Sequence, residues 1–228
     1  MQGKRLEQKS MKAALFDMDG VIIDSMPYHV KAWQKALAEI GLSAPAELIY
    51  LHEGAIEPET AVQIFCDNGC KIDEKGFHKL FKRQREIFSN HYQKEVKLYD
   101  GAEKILSELK NRGWKIALVT SSHREVLEKV LPIHVFNLMD YVVTGDEVKR
   151  RKPNPDPYLT GLAGLNVNPS QSVVVENAPA GIRAAKAAGL KCIALTTTLS
   201  PEYLKEADEI LSDHNELITY FLKNHSSS

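Results

Sequence analysis

Two carboxylates stand two residues apart in the stretch Leu15-Phe16-Asp17-Met18-Asp19-Gly20-Val21, directly after an apolar run that begins at Ala13. The apolar run is typical of a short buried strand, and Gly20 is typical of the turn that ends it. Side chains at positions i and i+2 of an extended segment point to the same face, so Asp17 and Asp19 are expected to lie side by side. Two like charges held together need a cation or a shared proton. A divalent metal combined with acid–base chemistry would meet that need.

The composition of the 228-residue chain, with its net charge of −1, excludes several classes of protein. The length fits one large domain or one domain that carries an insertion. The balanced charge gives no field that would attract nucleic acid or anionic lipid, and no apolar run is long enough to cross a membrane. The odd number of cysteines, without metal-binding spacing, favours a reducing compartment. We therefore expect a cytoplasmic protein, a monomer or weak dimer, that binds neither nucleic acid nor membrane.

Short β-like runs alternate with helical patterns along most of the chain. After the first strand, runs rich in Val, Ile and Leu are found at 115–120, 141–144, 172–176, 191–195 and 209–211. Their nearly continuous apolar content predicts strands that are covered on both faces, as in a parallel sheet. Amphipathic helices are predicted at 102–111 and 180–188, the second ended by Gly189. The pattern predicts an α/β fold with a doubly wound, Rossmann-like parallel sheet, which binds ligands outside the carboxyl ends of its strands.

One region interrupts the alternation, because no convincing strand occurs between residues 28 and 93. Helical patterns are found there at 30–40, 59–68 and 74–89. We interpret this block as an inserted helical cap, which would exclude water and contribute substrate contacts. The predicted organisation is an α/β core of residues 11–26 and 96–228 with an α-helical cap of residues 27–95.

Polar clusters follow four of the predicted strands. They are Asp17 with Asp19, Thr120-Ser121-Ser122, Lys152, and Glu176-Asn177. Each cluster alone has a simpler structural interpretation: a capped turn, a helix N-cap, a solvated lysine or an ion-pair partner. Their occurrence together at strand ends favours a catalytic site, and the residue types suit phosphoryl transfer, which requires positioning and charge neutralisation.

Each of these residue types suits one part of that reaction. Asp17 can act as the nucleophile and form an aspartyl-phosphate, while Asp19 serves as general acid and then as general base. Lys152 and the Thr120 hydroxyl would hold phosphate oxygens. Mg²⁺ prefers hard oxygen ligands. The candidate ligands are Asp17, the main-chain carbonyl of Asp19, Glu176 and Asn177.

The stretch from Asp17 to Ser25 resembles the first signature of haloacid dehalogenase-like hydrolases, and the other three clusters match the remaining signatures. The segment Tyr28-His29-x-x-Ala32-Trp33 and the helical insertion resemble the β-phosphoglucomutase-like branch of that superfamily. The resemblance implies a Mg²⁺-dependent phosphatase with a small helical cap. It assigns Asp17 as nucleophile, Asp19 as acid and base, and Lys152 as phosphate clamp, and it places the metal at Glu176 and Asn177.

The chain departs from the family pattern at Asn177, where a second acid is common. An amide oxygen can still bind Mg²⁺, but the site then carries one fewer negative charge, so weaker binding is expected unless another acid contributes. Glu53, in the cap segment Leu51-His52-Glu53-Gly54, is the candidate. This segment resembles that of bacterial members that hydrolyse inorganic pyrophosphate, in which a cap glutamate reaches the metal. The alternative interpretation of Glu53 is a charge at a helix N-terminus or in a solvated loop.

Three functions remain open at this point. The first is a phosphohydrolase acting on a sugar phosphate, another small phosphoester or pyrophosphate. The second is a phosphosugar mutase, which needs a cationic clamp in the cap for a second phosphate, although Glu57 falls at or next to that position. The third is a non-catalytic binding module on the same fold, which the intact catalytic residues disfavour.

Additional substrate contacts are expected around the pocket. Ser121, Ser122 and His29 are candidates for substrate binding. His123 and Arg124 follow the second cluster, and the basic run of residues 149–151 adjoins Lys152. These cationic side chains could draw an anionic substrate inward, although such runs are usually solvated.

Overall fold

The computed structural model describes residues 13–52, 69, 71 and 73–224. Within them, six strands form one parallel sheet in the order β3-β2-β1-β4-β5-β6. The strands are β1 Ala13–Phe16, β2 Lys115–Val119, β3 Tyr141–Val143, β4 Ser172–Glu176, β5 Lys191–Leu195 and β6 Glu209–Leu211. The predicted doubly wound α/β fold is confirmed, because this strand order reverses direction between β1 and β4.

The described helices cover the sheet and fill the segment between β1 and β2. They are α1 Met26–Ala38, α2 Ala46–Leu51, α3 Glu74–Ile87, α4 Ala102–Asn111, α5 Arg124–Val130, α6 Ile133–Phe136, α7 Asp156–Leu165, α8 Pro179–Ala187 and α9 His214–Asn224. A π-helical turn, Phe88–Tyr92, continues α3. None of the described helices is long and apolar enough to cross a membrane.

Two buried layers hold the sheet in place. Phe16 and its neighbours on one face of the sheet pack with α1, α2 and α3 and with α4 and α9, in one continuous apolar cluster. Leu15 and the opposite face pack against α7 and α8, around Tyr158 and Ile182. Successive residues of β1 therefore serve different layers, which is why the strand has no polar face.

Helices α1, α2 and α3 lie between β1 and β2, where the sequence predicts an inserted cap. The two connections to this helical block run side by side. The Asp24 amide donates to the Lys97 carbonyl (2.8 Å), and the Tyr99 amide donates to the Ile22 carbonyl (3.0 Å). The boundaries at residues 26 and 96 fall next to this junction, and the division into two domains stays a prediction. The helix predicted at 59–68 lies outside the described residues.

Candidate active site

Four loops that follow strands of the sheet meet in one pocket. The side chains on its floor follow β1, β3 and β4 and include Asp17, Asp19, Lys152, Glu176 and Asn177. Helices α1 and α3 form the opposite wall. The pocket opens at the carboxyl ends of β1 and β4, the switch point at which ligands bind in such sheets.

Lys152 is the electrostatic centre of the pocket floor. Its ammonium group lies 2.6 Å from Asp17 Oδ1 and 2.7 Å from Glu176 Oε1, and it donates to the Val119 carbonyl at 3.1 Å. The residue is only 2% exposed. Although burial alone would lower the pKa of Lys152, the carboxylates of Asp17 and Glu176 raise it, so this lysine is a permanent cation.

Glu176 is held in place by main-chain and side-chain donors in addition to the lysine. One carboxylate oxygen accepts from the Tyr158 hydroxyl (2.9 Å), and the other accepts from the amides of Asn177 (2.8 Å) and Ala178 (3.1 Å). Gly181 on α8 approaches so closely that a Cβ at this position would overlap the carboxylate. Glu176 therefore has a fixed orientation, with both oxygens engaged.

The surplus of negative charge on the floor acts on Asp17. Burial raises the pKa of Asp17 to about 8; Lys152 opposes this shift, and the charges of Glu176 and Asp19 add to it. Two buried carboxylates thus contact one ammonium group, and a third, that of Asp19, lies close enough to act on Asp17. A further cation would favour the ionised form of Asp17 at neutral pH.

Asp19 differs from Asp17 because its hydrogen bonds favour the charged form. Its Oδ1 accepts from the Ser25 hydroxyl (2.5 Å) and lies 3.4 Å from His29 Nε2, while Oδ2 accepts from Ser122 (3.0 Å) and Thr120 (3.3 Å). Burial alone would raise the pKa of Asp19, but the interactions with His29, Ser25 and Ser122 lower it below the usual value. The neighbouring carboxylates therefore have opposite pKa shifts, which by themselves favour a neutral Asp17 and an ionised Asp19. The predicted roles need an ionised nucleophile and a protonated acid, so they require a further positive charge beside Asp17.

The hydroxyl cluster of residues 120–122 is divided between a buried position and the pocket lining. Thr120 is buried, and its oxygen also accepts from the amide of Ser122 at 3.0 Å. Ser121 and Ser122 line the pocket. The structure thus directs the Thr120 hydroxyl to Asp19, and contact between Thr120 and a phosphate oxygen stays a prediction.

The orientation of the Asn177 side chain bears on whether the pocket could hold Mg²⁺. Its Nδ2 donates to Thr198 at 3.0 Å, whereas its buried Oδ1 has no hydrogen-bond partner among the described residues. In the same part of the chain, no three His, Cys, Asp or Glu side chains are grouped as a metal site. The residues present fit Mg²⁺ if an amide oxygen and a main-chain carbonyl complete the set. The candidate ligands are therefore Asp17, Asn177 Oδ1 and the Asp19 carbonyl, while the engaged oxygens of Glu176 suit an outer role.

The helical wall contributes residues that the sequence analysis identified only in part. His29 stacks on Phe88, with ring centroids 4.0 Å apart, and its Nδ1 lies 3.4 Å from Gln84 Nε2. His29 was predicted to bind substrate, and here it lies beside Asp19. Gln84 and Phe88 were missed because nothing in the sequence of an amphipathic helix indicates which residues face a distant strand end. Glu53 lies outside the described residues, so its predicted contact with the metal stays a prediction.

Comparison with known proteins identifies the family. The model of the haloacid dehalogenase-like hydrolases matches residues 14–195, and the chain belongs to this family. Validoxylamine A 7'-phosphate phosphatase from Streptomyces hygroscopicus subsp. limoneus is 33% identical over 207 residues, which cover 90% of this chain and 95% of the relative.

A relative confirms the predicted β-phosphoglucomutase-like branch, and a solved structure shows the same fold. The β-phosphoglucomutase of Bacillus subtilis is 31% identical over 186 residues, or 79% of this chain and 81% of the relative. The crystal structure of β-phosphoglucomutase from Clostridium difficile has the same fold, with a TM-score of 0.77 at 24% identity, over 94% of this chain and 96% of the other.

Proposed function

We propose that this protein is a Mg²⁺-dependent phosphohydrolase that acts on a small phosphate ester through an aspartyl-phosphate on Asp17. The observation that carries the proposal is the position of Lys152 between Asp17 and Glu176, in a pocket that Asn177 also lines. Among the described residues, Asn177 Oδ1 has no hydrogen-bond partner. Phosphoryl transfer depends on positioning and charge neutralisation, which this cluster is built to provide. The family, and the phosphatase named among the relatives, support the phosphatase assignment.

The proposed reaction has two steps that the side chains share. A carboxylate oxygen of Asp17 forms a bond to phosphorus as the bond from phosphorus to the leaving oxygen breaks, and Asp19 gives that oxygen a proton. Asp19 then takes a proton from water, whose oxygen attacks phosphorus and releases phosphate, restoring the Asp17 carboxylate. Throughout both steps, the ammonium group of Lys152 offsets the negative charge of the Asp17 and Glu176 side chains. Bound Mg²⁺ would supply a Lewis acid for the phosphoryl oxygens.

Phosphate release from small phosphate esters tests this proposal. We expect release that requires Mg²⁺, stops on chelation and falls by about 10⁴-fold or more in Asp17→Asn, because the amide cannot attack phosphorus. Thermal unfolding of the variant controls for its fold. Turnover by a folded Asp17→Asn at the wild-type rate would reject the proposed nucleophile.

Mutase activity is the second candidate, favoured by the identity to the Bacillus subtilis enzyme. Interconversion of hexose phosphates without net phosphate release would support it. The cap position that would repel a second phosphate, Glu57, lies outside the described residues. Inorganic pyrophosphate belongs in the same substrate panel. If Glu53 reaches the metal, we expect Glu53→Ala to reduce pyrophosphate turnover or broaden specificity.

A further inference from the structure

Two arginines from different elements meet at the mouth of the pocket. Arg85 projects from α3 and Arg151 from the loop before Lys152, and both line the pocket together with His123. Arg85 Nη1 lies 3.3 Å from His123 Nε2, and Arg151 Nη2 lies 3.1 Å from the same atom. The two positive charges are therefore close to each other.

His123 does not compensate for these charges. A guanidinium group can only donate hydrogen bonds, so Nε2 must be the acceptor, and the imidazole is in its neutral form with the proton on Nδ1. Burial and the two guanidinium groups lower the pKa of His123, which agrees with this form. The nearby acids have other partners: Glu125 lies 2.7 Å from Lys129, and the Asp146 carboxylate accepts from the Arg124 amide at 3.1 Å.

Other arginines near these two are paired with acids. Arg83, on the same helix as Arg85, lies 2.7 Å from Glu39, and Arg150, next to Arg151, lies 3.0 Å from Asp156. Arg85 and Arg151 form no ion pair with any residue in the described ranges. Arg151 donates in addition only to the Gly145 carbonyl there, at 3.1 Å. Within the described ranges, the two neighbouring arginines that line the pocket are thus the ones without an acidic partner, and Arg85 lies over the Phe81 ring at 5.0 Å from its centroid.

These arginines are also adjacent to the catalytic floor. Arg151 immediately precedes Lys152, and His123 immediately follows Ser122, which donates to Asp19. Arg85 follows Gln84, which contacts His29. A phosphoryl group beside Asp17 would therefore share one pocket with this cationic site.

We propose that Arg85 and Arg151 bind a second anionic group on the substrate, so that the preferred substrates are small phosphate esters that carry a carboxylate or second phosphate at the far end. This inference rests on the proposed phosphohydrolase function. Guanidinium groups suit such anions because their planar donors bind two oxygens at once. The site combines one arginine from each wall of the pocket, so the bound anion would also hold α3 against the loop that carries Lys152.

Matched substrates test this inference. The first pair is 3-phosphoglycerate against glycerol 3-phosphate, which differ by a carboxylate, and the second is fructose 1,6-bisphosphate against fructose 6-phosphate. We expect kcat/KM to favour the doubly anionic member of at least one pair by about tenfold or more, the factor expected for a charged hydrogen bond. The pair that responds identifies the anion as carboxylate or phosphate.

Substitutions then locate the preference. Arg85→Gln and Arg151→Gln should each reduce the kcat/KM ratio of the responding pair by about tenfold. Arg83→Gln and Arg150→Gln remove the same charge at neighbouring positions and should keep the wild-type ratio. Arg85→Lys retains the charge without the planar fork and should keep part of the preference. It provides the test if Arg85→Gln does not fold.

The outcomes separate this inference from the proposed function. Hydrolysis of single phosphate esters without preference in either pair would overturn the anion site and leave the phosphohydrolase intact. An equal fall of the ratio in Arg83→Gln and Arg85→Gln would also overturn it, because a general charge effect would then suffice. A wild-type protein that releases phosphate from no ester would reject the proposed function itself.

Discussion

The pocket floor contains three buried carboxylates and one buried ammonium group, so it carries a net negative charge when all are ionised. Asp17, with its raised pKa, and Asp19, with its lowered pKa, stand two residues apart, and the difference between them comes from their hydrogen-bond partners. The prediction that two adjacent like charges need a cation agrees with this geometry. Lys152 provides one positive charge. Among the described residues, the buried Oδ1 of Asn177 has no hydrogen-bond partner, which suits the proposed ligand of a second cation.

We expect Asn177 to limit the affinity of the site for Mg²⁺. Asn177→Asp adds one negative charge at the unpartnered oxygen, and we expect it to bind Mg²⁺ about tenfold more tightly, since ligand charge tunes affinity for hard cations. Titration calorimetry measures the change. Asn215→Asp adds the same charge on α9, outside the pocket lining, and should bind Mg²⁺ like the wild type. An equal gain in both variants would argue against a direct role of Asn177.

Substitution of Asp19 allows the two proposed chemical steps to be measured separately. Asp19→Asn removes the proton donor and acceptor, a loss of about 10²–10⁴-fold in turnover. Nitrophenol leaves without needing a proton, so the variant should still be phosphorylated by p-nitrophenyl phosphate. We expect a burst of nitrophenol near the enzyme concentration, followed by slow turnover, in stopped-flow absorbance. Steady turnover without a burst, at the wild-type rate, would contradict the acid–base role.

Asp17, Thr120 and Glu176 could be predicted because each lies at or next to a strand end, where backbone geometry fixes the direction of the side chain. Lys152 lies further along the loop that follows β3, and its sequence motif indicated it. Ser25, Tyr158 and Gln84 were missed because their hydrogen bonds to the site span loops and helices. The Ser25 hydroxyl was within reach of prediction, since this residue ends the quoted first signature. The partner of Tyr158 depends on packing between α7 and β4, which no local pattern reveals.

At the scale of elements, the fit of α8 beneath β4 fixes the orientation of Glu176. A Cβ on Gly181 would overlap the Glu176 carboxylate, so close packing of this helix depends on glycine. Gly181→Ala should destabilise the protein by about 1–3 kcal/mol, the cost of overpacking, and reduce phosphatase activity by displacing the partner of Lys152. Chemical denaturation and phosphate release measure the two effects.

Gly189, which follows the end of the same helix, provides the matched control. It has a φ of 74°, and a Cβ there would meet no atom within 4 Å. Gly189→Ala should lower stability by about 1–2 kcal/mol through backbone strain and keep its activity. If Gly181→Ala retained full activity, the rigid placement of Glu176 would not matter for turnover.

Elements with a strong pattern were predicted closely. The strands at 172–176, 191–195 and 209–211 and helix α4 have the predicted bounds, and Gly189 follows the end of α8. Helix α1 begins at Met26, four residues before the predicted start, because Pro27 fits a first helical turn. Helix α2 was not predicted, because its six residues are too few to show a helical period. The π-helical turn after α3 was not predicted either, because apolar Phe88 continues the α-helical period of α3.

On the scale of the whole molecule, the last helix contacts the loop that follows the first strand. His214 at the start of α9 is buried, and its Nε2 donates to the Val21 carbonyl at 2.6 Å. Burial lowers the pKa of His214, despite this hydrogen bond and the nearby Asp213 and Asp100, which oppose the shift. The catalytic loop is therefore stabilised by a neutral histidine near the carboxyl end of the chain.

This contact predicts a dependence of stability on pH. Below the usual histidine pKa of about 6.5 the unfolded chain takes up a proton that folded His214 resists, so stability falls as the pH decreases from 7 towards the lowered folded pKa. His214→Gln keeps a hydrogen-bond donor, and its melting temperature should fall less between pH 7 and pH 5 than that of the wild type. His134→Gln removes an exposed histidine and should behave as the wild type. Parallel profiles for wild type and His214→Gln would contradict this role.

The sheet order brings residues from positions 17 to 177 to one switch point, and this global convergence was the part of the fold that sequence alternation predicted best. The arrangement of the helical wall was harder to predict, since it depends on how α1 and α3 pack over the sheet. The substrate contacts of that wall include Arg85, which no strand-end rule would select.

A reaction quenched in acid during turnover, followed by peptide mass spectrometry, tests the central claim most directly. We expect one phosphoryl group on the peptide that contains Asp17, absent in Asp17→Asn and accumulating in Asp19→Asn. Catalytic release of phosphate by an Asp19→Asn enzyme that never carries a phosphoryl group at position 17 would contradict it.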